Sequence, residues 1–344
     1  MKRNAPIHLN IAVLGFAAGG LLLYFSAQTK QGIKAGLDIC AETLIPSLFP
    51  FLCLANLMML KTGGGYGFFS RLFSRFFSLP PVLAKAYLFS LAGGYPLGAI
   101  MTAGLYKNGE ISKKQAQRAS LFCFCSGPAF CISAVGENIC SSKTQGIYLF
   151  LSCALSASIT GIALRFFGKS EEKSLVKISA AKKSDFNSAV ENSIHSMLNM
   201  CAVVIIASAA VYLIKISPLN FTLKKYIICA LEVTNGCAQV KNNPVILAAV
   251  LSFGGISVFL QIKRYLDEVN LPYFKYFLFR FLNSLLSAGI CFLINSLFPV
   301  SVQTAKEAVS VKYFSFSAPL SALLLLSFCV FILDNKKGRL FFEK

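Results

Sequence analysis

The chain has 344 residues, of which 56% are hydrophobic and only 14% are charged, and its mean hydropathy is +0.65. Charged residues make up about a quarter of an ordinary soluble domain, so this composition excludes a typical water-soluble protein. The apolar runs are long and numerous enough for a polytopic membrane protein. The 33 lysines and arginines and 14 acidic residues give a formal net charge of +19. The basic residues lie in short loops between apolar runs, which is typical of cytoplasmic loops facing anionic lipids and not of a nucleic-acid-binding domain.

The first apolar run covers residues 7–27 and follows Met1-Lys2-Arg3. It continues past its small residues, without the short apolar core and cleavage site of a secretory signal peptide. The pattern therefore predicts a retained span or signal anchor.

Residues 30–79, which precede the break at Gly93, contain four features. An amphipathic segment at 30–43 leads into a second span at 44–60, and Gly63-Gly64-Gly65 then interrupts the chain. In residues 66–79, phenylalanines and leucines oppose two arginines at helical spacing. This amphipathic pattern predicts a helix that lies along the membrane surface.

The stretch 88–136 holds two apolar segments that are interrupted by helix-breaking residues. The first break is Gly93-Gly94-Tyr95-Pro96 and the second is Ser126-Gly127-Pro128, with a basic polar loop between the two segments. A broken helix is tolerated in a membrane only where its freed backbone groups are buried in protein or line a cavity. Residues 82–106 begin and end near lysines, which predicts a re-entrant hairpin if both ends face the same side.

A lysine-rich linker at 168–185 separates this half from a second one and is predicted to be cytoplasmic. The segments predicted beyond it lie at 186–199, 200–216, 226–240, 244–261, 276–298 and 313–333. The first of them is amphipathic, and the segment 244–261 is broken at Gly254-Gly255. A short basic tail ends the chain.

The two halves share an order of features that indicates a repeat. Gly93-Gly94 pairs with Gly254-Gly255, and Arg118 pairs with Arg280, at nearly the same separation along the chain. Interrupted segments in corresponding positions of two halves point to a transporter binding site, because the freed N–H groups of a broken helix carry partial positive charge near the bilayer centre. The predicted division is an N-terminal span (1–29), a first repeat (30–167), the linker (168–185), a second repeat (186–333) and a basic tail (334–344).

The topology of the second half stays open. If both Gly-Gly segments are re-entrant and the N-terminus is inside, Lys263, Arg264 and the basic tail lie outside, and the tail then disagrees with the positive-inside rule. Either the second Gly-Gly segment crosses the membrane fully, or the basic tail is tolerated outside.

Three motifs resemble the hallmark region of the YlbJ-type sporulation integral membrane proteins, which carry the nucleoside-recognition, or gate, domain. They are GGYPLGA (93–99), LYKNGEISKKQAQR (105–118) and FCSGPAFCISAVG (124–136), and the EVTNG run at 232–236 is similar to the second-half motif of that family. Where the family usually has an asparagine-rich run before the Gly-Pro pair, this chain has Cys123-Phe124-Cys125-Ser126.

The resemblance implies an all-α integral membrane fold, a polytopic helical bundle of two inverted gate-type repeats, each with a broken re-entrant hairpin, as in concentrative nucleoside transporters. It also implies an endospore-forming bacterium and a role late in sporulation. Family members are implicated in moving dipicolinic acid from the mother cell to the forespore, and hence in cortex maturation and spore resistance. The expected location is the membrane that surrounds the forespore.

The candidate solute-binding residues lie at the breaks. In the first half they are Gly93, Gly94, Tyr95, Pro96, Ser126, Gly127 and Pro128, and in the second half Glu232, Thr234, Asn235, Ser252, Gly254, Gly255 and Arg280. The alternative interpretation of each glycine break is a packing kink without a ligand.

Two charged residues have more specific candidate roles. An intramembrane carboxylate is costly, so Glu232 is a candidate carrier of a coupling proton, with sodium as the other candidate ion. The alternative places it at the interface, paired with Lys224 or Lys225. A guanidinium binds a carboxylate through two hydrogen bonds, which makes Arg280 a candidate for recognising a dicarboxylate. For Arg118, contact with lipid headgroups is favoured.

Enzymatic and metal chemistry are not expected. The sequence has no Ser-His-Asp, Cys-His, HExxH or Walker arrangement, and no cofactor motif. Its 12 cysteines lack the two-residue spacing of zinc and redox sites, and it has only two histidines, His8 and His195.

The leading hypothesis is a multi-pass transporter for a small anionic or nucleoside-like solute, with membrane lipids and a second copy of the chain as further partners. The competing hypothesis is a structural or assembly protein of the spore membrane.

Overall fold

The computed structural model describes residues 22–59, 67–167 and 186–299, together with Phe16, Gly19 and Gly20. Several predicted features lie outside these residues. They are most of the first span, the Gly63-Gly64-Gly65 break, the linker at 168–185, the last span at 313–333 and the tail.

The described residues form helices joined by short connections, and they contain no β-strand. In the first half the helices are α1 (Ser26–Ile39), α2 (Ile45–Met59), α3 (Phe68–Phe77), α4 (Leu83–Gly93), α5 (Tyr95–Lys107), α6 (Lys113–Ser120) and α7 (Lys143–Phe167), with π-helical stretches at Cys40–Leu44 and Ala129–Glu137. In the second half they are α8 (Phe186–Ile216), α9 (Phe221–Leu231), α10 (Val233–Gln239), α11 (Pro244–Phe253), α12 (Gly255–Glu268) and α13 (Tyr273–Leu297).

Among the described residues, five helical segments are long and apolar enough to cross a membrane. These are Ser26–Met58, Lys143–Phe166, Phe186–Ile216, Pro244–Glu268 and Tyr273–Leu297. The multi-pass architecture predicted from composition and the all-α fold implied by the resemblance are therefore confirmed at this level.

The predicted amphipathic segment at 30–43 does not stand apart from the span that follows it. Helix α1, the first π-helical stretch and α2 continue one another, and the wide turn carries Glu42 four residues before Pro46. A proline ring clashes with the carbonyl of the residue four positions earlier, so a local π-helical turn accommodates it.

This long helix runs antiparallel to α8 along most of its length. A β-carbon added to Gly32 would lie 2.6 Å from the Cα of Ala209, and the Asn56 amide donates to the Ser193 hydroxyl at 2.8 Å. The polar residues of α1 face outward, while its glycines allow close backbone packing against α8. The contact with α8 is made by Gly32 and Gly36, whereas the apolar residues Ile33 and Leu37 of the amphipathic pattern are exposed.

Helix α3 is amphipathic as predicted, and its inner face is aromatic. Phe73 and Phe77 are buried and stack on each other with ring centroids 4.6 Å apart, and Phe77 stacks on Phe122 at 5.0 Å. Phe68 and Phe76 on the other face are exposed. The C-terminal carbonyls of α3 accept hydrogen bonds from Arg118, which donates to Phe77 and Ser78. The positive charge of Arg118 thereby stabilises the C-terminal end of α3, which carries partial negative charge.

Helices α4 and α5 fold back against each other around Gly94, whose φ of 97° and ψ of −170° lie in a region that favours glycine. The two helices pack side by side. Gly98 marks the tightest point, because a β-carbon added there would lie 2.7 Å from the Ser90 β-carbon and 2.0 Å from the Cys123 carbonyl oxygen.

A second folded-back pair, α9 and α10, lies where the sequence predicted one apolar segment at 226–240. The chain turns at Glu232 (φ −143°, ψ 124°), and the two helices pack closely where Gly236 meets Cys229. No glycine or proline marks this turn, because an extended conformation is open to any residue.

The remaining two breaks interrupt helices without folding them back. Residues 121–127 connect α6 to the second π-helical stretch, which packs along α7, and Gly254-Gly255 connect α11 to α12. Helix α11 packs along α13, and α7 packs along α13. Gly254-Gly255 therefore resembles the 121–127 break in connecting two helical stretches, and the turn at Glu232 resembles the one at Gly94 in folding two helices back.

Two loop contacts define the ends of the bundle. The Gln117 amide donates to the carbonyls of Val269 (3.1 Å) and Asn270 (2.7 Å), so α6 and the α12–α13 loop share one end. Cys140 lies against the Lys241 carbonyl at the other end. We call the first the basic end, because the lysine-rich 107–118 loop lies there.

We expect Gly98→Ala to destabilise the α4–α5 hairpin, because the new methyl group overlaps the Cys123 carbonyl and overpacking typically costs ~1–3 kcal/mol. The matched control is Gly289→Ala, where an added β-carbon has no neighbour within 4 Å. The measurement is the apparent melting temperature of each purified variant in detergent. Equal melting temperatures for the two variants would contradict the packing described here.

Candidate functional site

The breaks of the two halves meet at one cavity, which comprises about 580 Å³ of space outside the protein atoms, part of it open to the surroundings. Its walls come from the α4–α5 turn, the start of the second π-helical stretch, the turn at Glu232, the first turns of α2, and one face each of α8 and α12. We call it the break cavity. It brings together Gly93, Gly94, Tyr95, Pro96, Gly127, Glu232 and Thr234 from the predicted site.

The first-half wall depends on the close approach of two glycines. A β-carbon added to Gly94 would lie 3.2 Å from the Gly127 nitrogen, and one added to Gly127 would lie 3.1 Å from the Gly94 nitrogen. The α4–α5 turn and the 121–127 break therefore touch backbone to backbone. Helix α5 begins here with Tyr95 and Pro96, and its N-terminal end carries partial positive charge.

Glu232 forms the second-half wall and is 1% exposed. Its carboxylate caps α10, accepting hydrogen bonds from the backbone nitrogens of Thr234 (3.0 Å) and Asn235 (2.7 Å) and from the Asn235 side-chain nitrogen (2.8 Å). The Glu232 carboxylate thus takes the position at the N-terminus of α10 where an anionic ligand would otherwise bind. The alternative ion pair with Lys224 is not formed, since the Lys224 ammonium donates to the Lys215 carbonyl.

A buried hydroxyl network joins the two halves behind the cavity. The Tyr95 hydroxyl donates to the Leu251 carbonyl on α11 and is hydrogen-bonded to the Ser126 hydroxyl. Both Tyr95 and Ser126 are buried. Ser126 thus supports the wall, and its hydroxyl is directed at Tyr95.

Arg280 lies outside the break cavity and is 1% exposed. Its guanidinium donates to the carbonyls of Leu121 and Phe124, the latter at 3.2 Å, and lies 4.0 Å from the centre of the Phe124 ring. With its amide oxygen turned toward Arg280, Asn283 accepts a third hydrogen bond at 2.9 Å. The cation therefore holds the 121–124 backbone in place from α13.

The other predicted residues take supporting positions. Gly254 packs against the Phe124 ring, and Gly255 lies against the last carbonyls of α9, where an added β-carbon would be 3.1 Å from the Ala230 oxygen. Ser252 is buried in α11, Asn235 contacts the Glu232 carboxylate, and Pro128 precedes the second π-helical stretch. None of these five residues is in the wall of the break cavity.

Sequence reasoning missed part of the wall. Ser47 and Gln261 contribute polar side chains, and Phe130, Val204 and Val258 contribute apolar ones. Gln261 carries a usable signal, because an uncharged polar residue inside an apolar run reads as an inward-facing position. The apolar residues carry none, since each is ordinary for a spanning helix.

Among the described residues, no group of three or more histidine, cysteine or acidic side chains is arranged to hold a metal ion. The cysteines in the described part of the chain are free thiols, and most of them are buried. Of the side chains that the structure describes, Glu232 is the only charged one in the wall of the break cavity.

Comparison with known proteins gives one informative similarity. The chain is 25% identical over 312 aligned residues to the sporulation integral membrane protein YlbJ of Bacillus subtilis strain 168, and the alignment covers 75% of each chain. No family model matches the sequence, and no solved structure matches it.

The similarity extends over three quarters of the sequence and agrees with the hallmark residues that line the break cavity. The described helices provide several membrane spans, as an integral membrane relative requires. The resemblance to the YlbJ-type sporulation integral membrane proteins, which the motifs indicated, is therefore confirmed.

Proposed function

We propose that the protein is a transporter of the membrane surrounding the developing spore, and that it carries a small anionic solute, with dipicolinate as the first candidate, into the spore for cortex maturation and resistance. The observation behind the proposal is the break cavity, where helix turns from both halves meet inside a bundle of spanning helices. The sporulation relative supports the cellular setting.

In the proposed topology the two folded-back pairs are re-entrant hairpins that enter from opposite sides. Helix α5 ends at Lys107 near the basic end, whereas α10 ends beside the 240–243 turn, which contacts Cys140 at the opposite end. Each half then consists of a span, a hairpin, a broken span and a long span, related by an inverted repeat.

This topology favours full crossing by the second Gly-Gly segment. Helix α12 ends at the basic end beside Gln117, so Lys263 and Arg264 share a side with Lys113 and Lys114. The positive-inside rule makes that side cytoplasmic. Helix α13 then returns outward, and the predicted span at 313–333 brings the basic tail back inside.

For the topology test, we expect Lys275→Cys at the basic end and Lys241→Cys at the opposite end to be labelled from different sides. Both positions are exposed, so neither change disturbs packing. In intact cells, a membrane-impermeant thiol reagent should label Lys241→Cys directly and Lys275→Cys only after permeabilisation. Labelling of both from outside would exclude full crossing by residues 244–268.

The charge of the break cavity constrains its solute. An anion bound near the N-terminus of α5 gains from the helix dipole but is repelled by Glu232. A proton or a sodium ion bound with the solute removes this repulsion. An anionic solute in this cavity therefore implies a coupling cation, and the cation acts at Glu232.

A nucleoside-like solute is the second candidate, because the wall also suits a neutral molecule. The Glu232 carboxylate accepts hydrogen bonds from hydroxyl groups, and Ser47, Thr234 and Gln261 offer further polar partners. A neutral nucleoside does not require the cation on electrostatic grounds. The two candidates therefore differ in their dependence on an ion gradient.

The functional test uses the purified full-length protein in liposomes. We expect dipicolinate uptake to require an inward proton or sodium gradient, and Glu232→Gln to lose this dependence together with about tenfold or more of the rate, equivalent to ~1.4 kcal/mol. The matched control is Glu191→Gln, because the Glu191 side chain is 74% exposed on α8 and outside the break cavity.

Other outcomes separate the alternatives. Uptake of uridine but not of dipicolinate, without need of a gradient, would assign the nucleoside. If neither solute moves, while sporulating cells still need the protein and tolerate Gly94→Leu, the structural or assembly role is supported instead.

A further inference from the structure

A second, wider cavity opens near the basic end. It is enclosed by α2, α5, α8 and α12 and comprises about 2030 Å³, part of it continuous with the surroundings. Its wall is polar where that of the break cavity is apolar: it includes Asn56, Lys107, Asn192, Asn199, Lys263 and Arg264. We call it the polar cavity.

The two cavities lie along the same groove. On α2 the wall residues advance from Leu48 to Asn56, and on α5 they advance from Pro96 to Lys107. On α8 and α12 the progression is the same, from the cavity at the breaks to the one at the basic end. Each of the four helices therefore lines the break cavity with one part of its length and the polar cavity with another.

Buried apolar residues lie along the helices between the positions that line the two cavities. Leu52 on α2 lies between Leu48 and Asn56 and is fully buried, and Met200 on α8 is 1% exposed and lies between Asn199 and Val204.

The charges of the polar cavity are not balanced. Lys263 pairs with Asp267 at 2.7 Å and Arg264 pairs with Glu268 at 3.6 Å, which neutralises both acids in the wall. Lys107 is exposed, and within the described part of the chain it has no ion pair. One uncompensated ammonium group thus faces the cavity, on the helix that begins at the break cavity.

We propose that the polar cavity is a water-filled antechamber that collects carboxylate-bearing solutes, with Lys107 as the group that attracts them. The role of the polar cavity in transport rests on the proposed function. The attraction of anions by Lys107 does not depend on that function. A cleft lined by one excess charge raises the local concentration of oppositely charged solutes, and the effect falls as salt screens the charge.

The first experiment tests the attraction without transport. Asn199→Cys places a thiol in the wall of the polar cavity, and among the described residues no native cysteine lines that cavity. The probes are a negatively and a positively charged water-soluble methanethiosulfonate, and the readout is the ratio of their labelling rates in the purified full-length protein. The chain without Asn199→Cys gives the background.

Adding Lys107→Glu should lower the ratio of anionic to cationic labelling by about threefold or more, and Lys107→Arg should leave it unchanged, since only the sign of the charge matters. Lys241→Glu, at the opposite end of the bundle, is the matched control and should have no effect. Absence of labelling at Asn199→Cys, or a ratio that Lys107→Glu and Lys241→Glu change equally, overturns the proposal.

The second experiment tests the place in transport. In liposomes at about 0.01 M ionic strength, Lys107→Glu should raise the KM for dipicolinate about fivefold with the maximal rate unchanged, and the difference should shrink at about 0.15 M, where the screening length falls from about 30 to about 8 Å. An unchanged KM would overturn the role in uptake. If no variant takes up dipicolinate but the labelling ratio shifts, the proposed function fails and the anion-attracting cavity stands.

Discussion

Backbone groups released at a helix break inside a membrane have to be satisfied by protein, since lipid offers no hydrogen-bond partner and each unsatisfied group costs several kcal/mol. In this protein each break is covered by another break. Gly94 lies against Gly127, and Gly255 lies against the final carbonyls of α9. Glycine is required at these positions because a side chain would separate the two backbones. The break cavity lies next to these backbone contacts. The need to bury the helix breaks therefore shapes both the fold and the candidate site.

The same constraint explains the burial of Arg280 without an acidic partner. The end of α6 and the 121–127 connection expose carbonyls that no helix satisfies, and the guanidinium donates to two of them. Its planar face rests on the Phe124 ring, which adds a cation–π contribution. Removing one partner of such a buried arrangement is costly, because the remaining charge stays desolvated. Arg280 therefore stabilises the contact between the halves. The sequence predicts a place for it in the site because a guanidinium can bind a carboxylate through two hydrogen bonds and because its position matches that of Arg118.

Sequence reasoning predicted the features that have a local chemical signature. Apolar length identified the spans α8 and α13, and Gly93-Gly94 and Ser126-Gly127-Pro128 marked real interruptions. The turn at Glu232 escaped notice because an extended residue between two helices needs neither glycine nor proline. The amphipathic segment at 30–43 was described apart from the span at 44–60, whereas α1, the first π-helical stretch and α2 continue one another, because the hydrophobic pattern changes there while the helix does not end.

The distance along the chain between Arg280 and the carbonyls it holds has a consequence for biogenesis. Arg280 and Leu121 are 159 positions apart, and ribosomes add about 5–20 residues per second. The 121–124 backbone thus enters the membrane ~10–30 s before its permanent donor is synthesised, at those rates. During that interval the carbonyls of residues 121 and 124 have to accept hydrogen bonds from water, from the translocation machinery or from side chains of the first half. Premature release of a truncated first half would leave those carbonyls without partners, which makes the half-molecule a natural substrate for membrane quality control.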